Sequence, residues 1–238
     1  MLLLYLFGCQ RTTYTTRIRS NEATADQPRL MLTLVFVLVA SYLLGSIPFG
    51  YLAGRIAGID IRQAGSGNIG ATNVVRVLGK RYGYPVFLLD FFKGLGAVEI
   101  AIAFARAARP EWGSPEVYGI LAAFGSVIGH SFPPWLKFRG GKGVATAAGA
   151  LFGLMPLAML IGVAIWIVIF WLTRYVSLAS LVTVITLPLV IAILTRLNEG
   201  HAKALFYSSL CIAVVVVWQH RSNLSRLIRG REPRFNRK

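Results

Sequence analysis

The chain has 238 residues, 55% of them hydrophobic and only 14% charged; soluble domains carry about 25% charge, so with a mean hydropathy of +0.62 a soluble globular protein is excluded. Lys and Arg number 25 against 9 Asp and Glu, a formal net charge of +16, which suits an anionic membrane surface, an anionic substrate, or both. The basic residues lie between apolar blocks rather than on one face of a polar domain with aromatic platforms, which argues against nucleic acid as a partner.

In chain order, residues 1–30 join a short apolar run, MLLLYLFGCQ, to a polar stretch with Arg11, Arg17, Arg19 and Arg29. A signal peptide places its positive charges before the apolar run, so this segment is expected to be a disordered extension, or a start assigned too early with Met31 the true one. The apolar segment Met31 to Ala57 is long enough, at about 1.5 Å per residue, to cross a hydrocarbon core of about 30 Å as a first helix. Further apolar blocks run from Tyr84 to Ala105, Val117 to Gly129, Val144 to Leu172, Ser177 to Leu194, and Ala204 to Trp218. Pro156, with Gly149, Gly153 and Gly162 around it, is expected to divide the Val144–Leu172 block into two helices. That division gives seven crossings and sorts the loops by charge. Arg55, Arg62, Arg76, Lys80, Lys142, Arg174 and the basic tail then share one side, while Arg106, Arg109, Arg196 and Lys203 share the other. By the positive-inside rule the richer side is cytoplasmic. The expected fold class is therefore all-α: a polytopic membrane protein with seven transmembrane helices, its N-terminus outside and its C-terminus cytoplasmic. Residues 31–232 form the transmembrane domain and 233–238 a basic cytoplasmic tail.

Small residues recur at four-residue spacing in Gly50, Gly54 and Gly58, in Gly125 and Gly129, and in Gly149 and Gly153, a pattern that lets helix backbones approach closely. Asp90, Lys93 and Glu99 fall within the second apolar block. Charge is expensive there, so all three are expected to face the bundle or its rim, with Asp90 and Lys93, one turn apart, paired.

Three polar segments fall on the expected cytoplasmic side. In Gly65-Ser-Gly-Asn-Ile-Gly-Ala-Thr-Asn-Val-Val-Arg76 the glycines satisfy G-x-G-x-x-G, but no strand precedes them, so a dinucleotide fingerprint fails by context. The local chemistry remains. Backbone N–H groups of Gly67 and Gly70, neutral side chains of Ser66, Asn68, Thr72 and Asn73, a helix N-terminus and Arg76 read as a phosphate cradle. In Gly129-His-Ser-Phe-Pro-Pro-Trp-Leu-Lys-Phe-Arg-Gly-Gly-Lys-Gly-Val-Ala-Thr146, the run Gly140-Gly141-Lys142-Gly143 opens a helix and is a second anion site, although it lacks the Ser or Thr of a P-loop. Lys137 and Arg139 are assigned to lipid headgroups, and His130 to structural hydrogen bonding. In His220-Arg-Ser-Asn-Leu-Ser-Arg-Leu-Ile-Arg-Gly-Arg-Glu232, His220 and Asn223 share a helix face, and the arginines that follow suit anionic lipid. Ser177, between two apolar blocks, contributes to the same side.

In this order and separation, GSGNIGATNVVR, GHSFPPWLKFRGGKGVAT and HRSNLSRLIRGRE resemble the motifs of the bacterial acyl-phosphate:glycerol-3-phosphate acyltransferases, the PlsY family. The resemblance runs from about Met31 to Glu232. It implies transfer of a fatty acyl group from acyl phosphate to the 1-hydroxyl of glycerol 3-phosphate at the inner membrane of a bacterium, giving lysophosphatidic acid. It also implies that no coenzyme A, acyl carrier protein, cofactor or metal is required. It assigns functional roles to Ser66, Arg76, Lys142, Ser177, His220 and Asn223. Catalysis is expected of Ser66, Lys142, His220 and Asn223. Substrate binding is expected of Gly67, Asn68, Gly70, Thr72, Asn73, Arg76, Gly140, Gly141, Gly143 and Ser177. The implied partners are the two small-molecule substrates, membrane lipid and a soluble enzyme producing acyl phosphate, with the chain itself a monomer.

The residues agree with that chemistry. Two phosphate-bearing substrates call for two anion sites, and acyl phosphate, a mixed anhydride, needs no enzyme nucleophile. Lys142 and backbone N–H groups can offset charge on the carbonyl oxygen and the departing phosphate, while Arg76 and Asn223 hold the acceptor. The general base is either His220 or the acceptor's own phosphate. The alternative from another class is a membrane anion transporter, which also uses glycine-rich helix ends and cations, but it calls for an internal repeat and midplane ligands that this sequence lacks. A coenzyme-A-dependent acyltransferase expects His followed five residues later by Asp. Here Trp135, Phe206 and Ser225 occupy those positions.

Overall fold

The computed structural model describes residues 31–108, 114–196 and 200–235. The extension 1–30 and residues 236–238 of the tail lie outside the described residues. The chain divides into two compact units, residues 1–36 and 37–238. In the first, the described residues 31–36 are helical. The second is all-helical among its described residues: α1 (37–45), α2 (Phe49–Ile56), α3 (Ala71–Leu78), α4 (Lys80–Ala108), α5 (Pro115–Ser131), α6 (Val144–Leu154), α7 (Pro156–Thr173), α8 (Val176–Thr195), α9 (Gly200–Gln219) and α10 (Arg221–Ile228).

This is an integral membrane fold. Among the described residues Met31–Ile56, Pro156–Thr173 and Val176–Thr195 are long and apolar enough to cross a membrane, joined by Lys203–Gln219 with Arg221–Ile228 when that pair, bent by 62°, is taken as one span. Outward-facing large apolar side chains such as Phe92, Ile100, Trp171, Leu189 and Val214 are exposed, as lipid contact requires.

Two helix breaks follow directly from proline. The Val144–Leu172 block divides where expected, α6 ending at Leu154 and α7 starting on Pro156. The first apolar segment, expected as one helix, is interrupted at residues 46–48. Pro48 has no N–H and its ring clashes with the preceding turn, so nearby carbonyls lose their helical partners. In a membrane such groups must be satisfied by protein. Ile47 O accepts from Lys93 Nζ at 2.8 Å as well as from Phe49 N at 3.2 Å, and beside the break the Ser46 hydroxyl accepts from Trp135 Nε1 at 2.8 Å.

Lys93 also pairs with Asp90 at 2.7 Å, as expected, and Asp90 faces His130 Nδ1 at 3.5 Å; all three are buried. Glu99 lies apart from that pair. It is exposed, because nine residues after Asp90 a helix has turned half a revolution away from it, and it lies over Gly153 of α6.

The glycine spacing reads correctly as packing for most of its members. A Cβ on Gly149 would lie 1.9 Å from Phe91 O, one on Gly129 2.1 Å from Tyr42 O, and one on Gly50 1.7 Å from Ile69 O. Gly58 is the exception, with open space around it and φ +79 in the turn after α2. Gly94, which no four-residue repeat singles out, makes the reciprocal contact to Gly149, since its Cβ would lie 2.0 Å from Thr146 O. The α4–α6 interface is therefore backbone against backbone. Gly149→Ala is expected to destabilise the protein by about 1–3 kcal/mol, the usual range for overpacking. Gly96→Ala, in the same helix as Gly94 with no atom within 4 Å of the new Cβ, should stabilise it by up to about 1 kcal/mol. Thermal unfolding in detergent checks both signs.

Candidate active site

The first motif is a loop wound around one buried amide. Asn73, the third residue of α3, donates from Nδ2 to Ala64 O at 3.0 Å and Asn68 O at 2.9 Å, with Ile61 O at 3.4 Å, and accepts from Ser66 N at 2.8 Å. Gly65 is at φ +60 and a Cβ there would strike Asn73 Oδ1, which is why the sequence has glycine. The loop N–H groups expected to cradle a phosphate are taken up within the loop itself. The N–H groups of Ser66, Gly67 and Gly70 are engaged by Asn73 Oδ1, Ala64 O and Asn68 Oδ1, so they do not point at a ligand. The Asn73 side chain faces inward and organises the loop. What the motif presents outward is the exposed Ser66 and Arg76, with Gly67, Asn68, Gly70 and Thr72 half-buried.

The second motif is built in the same way. Gly140 N and Gly141 N donate to Ser131 O (3.1 Å) and His130 O (3.0 Å), closing the C-terminal end of α5. A Cβ on Gly141 would sit 2.0 Å from His130 Nε2. Gly141 serves close approach to the buried His130 ring and Gly140 to the His130 carbonyl and Pro133, rather than offering N–H groups to an anion. Gly143, at φ +80, caps α6. The loop thereby delivers Lys142 to its position.

The structure gathers around Lys142 residues that the sequence holds far apart. Lys142 Nζ donates to Asn223 Oδ1. Asn223 Nδ2 donates to Glu232 Oε1 at 2.6 Å, Ser177 Oγ donates to the same oxygen at 2.6 Å, and Arg226 Nε donates to Glu232 Oε2 at 2.7 Å. A carboxylate takes one end of the Asn223 amide and an ammonium the other, so the amide orientation is set by charge on both sides. Ser177 and Asn223 are buried, Lys142 is half-buried, and the Glu232 side chain is 6% exposed. Glu232 and Arg226, both within the third motif, were not singled out as site residues. The signal available was a lone acid in a tail of arginines.

Burial drives the Lys142 pKa down to about 8; Glu232 opposes the shift, while Arg226 and Arg76 add to it. Arg76 is thus close enough for its charge to be felt at Lys142. Burial raises the Glu232 carboxyl, but hydrogen bonds from Ser177, Asn223 and Arg226 outweigh it and hold the pKa below the ordinary value. His220 lies at the bend between α9 and α10, buried, with Nδ1 2.8 Å from Val216 O. That carbonyl can only accept, so Nδ1 carries the proton and Nε2 a lone pair. Burial first, then the Lys142 charge, lower its pKa to about 4. Among the described residues no three His, Cys, Asp or Glu side chains form a metal-binding group.

Residues 35–230 match a protein-family model described as glycerol-3-phosphate acyltransferase. Curated relatives named glycerol-3-phosphate acyltransferase include one from Aquifex aeolicus, 40% identical over 84% of this chain and 98% of the relative. Another, from Synechococcus elongatus, is 44% identical over 88% of this chain and 98% of the relative. Two solved structures of PlsY (YgiH), an integral membrane glycerol 3-phosphate acyltransferase, are similar at 38% identity over 85% of this chain. The glycerol 3-phosphate form has a TM-score of 0.75 with 96% of its chain covered, and the lysophosphatidic acid form 0.73 with 95% covered.

Lys142 is cationic below about pH 8 and loses its charge as pH rises through that value, whereas His220 is neutral at every pH well above 4. An activity that needs the Lys142 ammonium should therefore fall above about pH 8, with no inflection from His220 between pH 6 and 7. Profiles of kcat/KM against pH test this, and Lys142→Arg should abolish the alkaline fall in whatever activity it retains.

Proposed function

Because the chain belongs to the glycerol-3-phosphate acyltransferase family, we propose that it transfers a fatty acyl group from acyl phosphate to the 1-hydroxyl of glycerol 3-phosphate. The products are lysophosphatidic acid and phosphate, and the reaction serves phospholipid synthesis at a bacterial inner membrane. The observation that carries the reading is the hydrogen-bonded group formed by Lys142, Asn223, Glu232, Ser177 and Arg226, with the Arg76 charge near it. This concentration of cations and polar donors at the edge of an apolar helical bundle suits substrates that combine a phosphate with a fatty chain.

In this mechanism the acceptor 1-hydroxyl attacks the carbonyl carbon of the mixed anhydride. A C–O ester bond forms, the bond from the acyl carbon to the bridging oxygen breaks, and phosphate departs with the electron pair. Lys142 offsets the negative charge that grows on the carbonyl oxygen and the leaving group. Arg76 and Ser66, on the outward face of the first motif, hold the acceptor phosphate, and Asn223 with Ser177 keeps Lys142 in place. The hydroxyl proton needs an acceptor. His220 Nε2 has the right protonation state, but a base of pKa about 4 is weaker than a phosphate monoester with a second pKa near 6, so the acceptor's own phosphate takes the proton.

The seven-crossing arrangement belongs to the same reading. The stretches from α1 through α2, then α4, α5, α6, α7, α8 and α9 are the crossings, the N-terminus is outside, and all three motifs open to the cytoplasm. Residues 31–232 are the catalytic domain, a monomer supplied with acyl phosphate by a soluble enzyme. Cysteines at Gly79 and Gly230 should be labelled from the cytoplasm and one at Gly200 from outside; labelling of Gly79 and Gly200 from one side would exclude this topology.

The reaction is tested with purified protein in detergent given glycerol 3-phosphate and either acyl phosphate or acyl-CoA. Lysophosphatidic acid should form with the first donor only, and product from acyl-CoA alone would overturn the reading. Lys142→Ala should lower turnover about 10²- to 10³-fold, as removal of one electrostatic stabiliser does. Lys137→Ala, which removes the same charge from an exposed loop position, should change turnover little. Equal and mild effects in folded protein would show that Lys142 does not act on the reacting phosphate.

A further inference from the structure

The described part of the tail after α10, whose arginines were expected to serve anionic lipid, folds back onto the helices that carry the site as far as Phe235. Arg231 N donates to Arg226 O at 2.8 Å, and Gly230, at φ +65, reverses the chain direction. Pro233 follows Glu232, and a residue before proline is kept out of the helical region, so the backbone at Glu232 is held extended. Three residues after Glu232 the chain is anchored again. Phe235 N donates to Arg174 O at 2.8 Å, supplying a donor at the C-terminal end of α7, where carbonyls have no helical partner. The Phe235 ring meets Phe170 of α7 edge-on at 5.9 Å, and Phe170 is itself stacked on Trp166 at 4.9 Å. Arg234 lies over the Tyr175 ring at 5.4 Å, with Nε 3.3 Å from the Tyr175 hydroxyl. Glu232 is therefore pinned between a turn on one side and a docked aromatic ring on the other.

We infer that residues 233–235 are a strap, in which Arg234 and Phe235 are positioning residues that hold Glu232 in the group with Ser177, Asn223 and Arg226, and through Asn223 hold Lys142. These residues lie beyond the segment matched by the family model. The inference rests on the proposed reaction and deepens it. A lipid anchor requires only charge, whereas the strap requires the Phe235 ring and its seat on α7. A strap also couples to a quantity that general stability does not move. The charges felt at Lys142 are those of Glu232, Arg226 and Arg76, with the neutral His220 also within its field; Glu232 alone favours the ammonium, so a displaced Glu232 brings the alkaline fall in activity to lower pH.

The test uses the full-length chain in detergent and in vesicles with and without anionic lipid, assayed with acyl phosphate and glycerol 3-phosphate. Phe235→Ala should lower kcat about tenfold, in keeping with a modest displacement of a catalytic group, change KM less, leave thermal unfolding nearly unaltered and move the alkaline limb down. Phe235→Tyr, which keeps the ring, should restore wild-type values, and Arg234→Ala should show a smaller effect of the same kind. Removal of charge beyond the strap, in Arg237→Ala with Lys238→Ala, should leave kcat as it is. Wild-type kcat and alkaline limb in Phe235→Ala would overturn the strap. So would a loss that follows total tail charge and disappears in vesicles lacking anionic lipid, since that is the behaviour of a lipid anchor. An unmodified chain inactive with acyl phosphate would sink the reaction itself, a separate outcome from either.

Discussion

Lys142 sits where an ammonium ion is costly, and much of the site can be understood as the means of keeping it there. Burial lowers its pKa, and Arg76 and Arg226 lower it further. Each of those influences works against the charged form. Glu232 opposes them through space and also through the Asn223 amide, which links the carboxylate to the ammonium with its donor and acceptor ends correctly placed. The same carboxylate takes hydrogen bonds from α8 through Ser177 and from α10 through Arg226. One acid thus ties two helices and a loop to the cation, and its three donors offset the cost of burying it.

The surrounding fold obeys a second constraint, that lipid offers no hydrogen bonds. Pro48 opens the first apolar helix, and Lys93 donates to the Ile47 carbonyl at the break. Lys93 cannot be buried alone, so Asp90 pairs with it, and Asp90 in turn faces His130. The Gly140–Gly141 backbone closes over His130 and the end of α5. A buried ion pair of this kind is weak evidence for stability; its visible effect is to join the α1–α2 break, α4, α5 and the Lys142 loop through consecutive contacts. Glycine does the complementary work between α4 and α6, where Gly94 and Gly149 let the two backbones touch.

Much of the fold was legible in the sequence because membrane helices announce themselves by length and apolarity, and because proline breaks helices by a local rule. The division at Pro156 could be read for that reason. Pro48 carried the same signal, but the run of apolar residues through it hid the break. The pairing of Asp90 with Lys93 followed from one-turn spacing, whereas the place of Glu99, half a revolution round α4 and against Gly153 of α6, depends on its azimuth. Motif glycines were read as donors to phosphate. Their spacing was informative and the role was not, because whether an N–H faces a ligand or a neighbouring carbonyl is decided by how the loop is wound, here around Asn73 and against His130.

By itself, then, the sequence determined the solvent, the apolar helical blocks and the break at Pro156, the three polar segments and the family resemblance they carry, all of which depend on composition or on residues near one another in the chain. Only the tertiary structure decided that Ser177, Asn223, Arg226 and Glu232 meet at Lys142, and that Phe235 is seated on α7. The physical reason is that contacts between helices are set by crossing geometry and by the direction in which each side chain leaves its backbone. Neither quantity is written in local periodicity. An acid among arginines looks like part of a solvated tail until the fold carries it next to a buried amide.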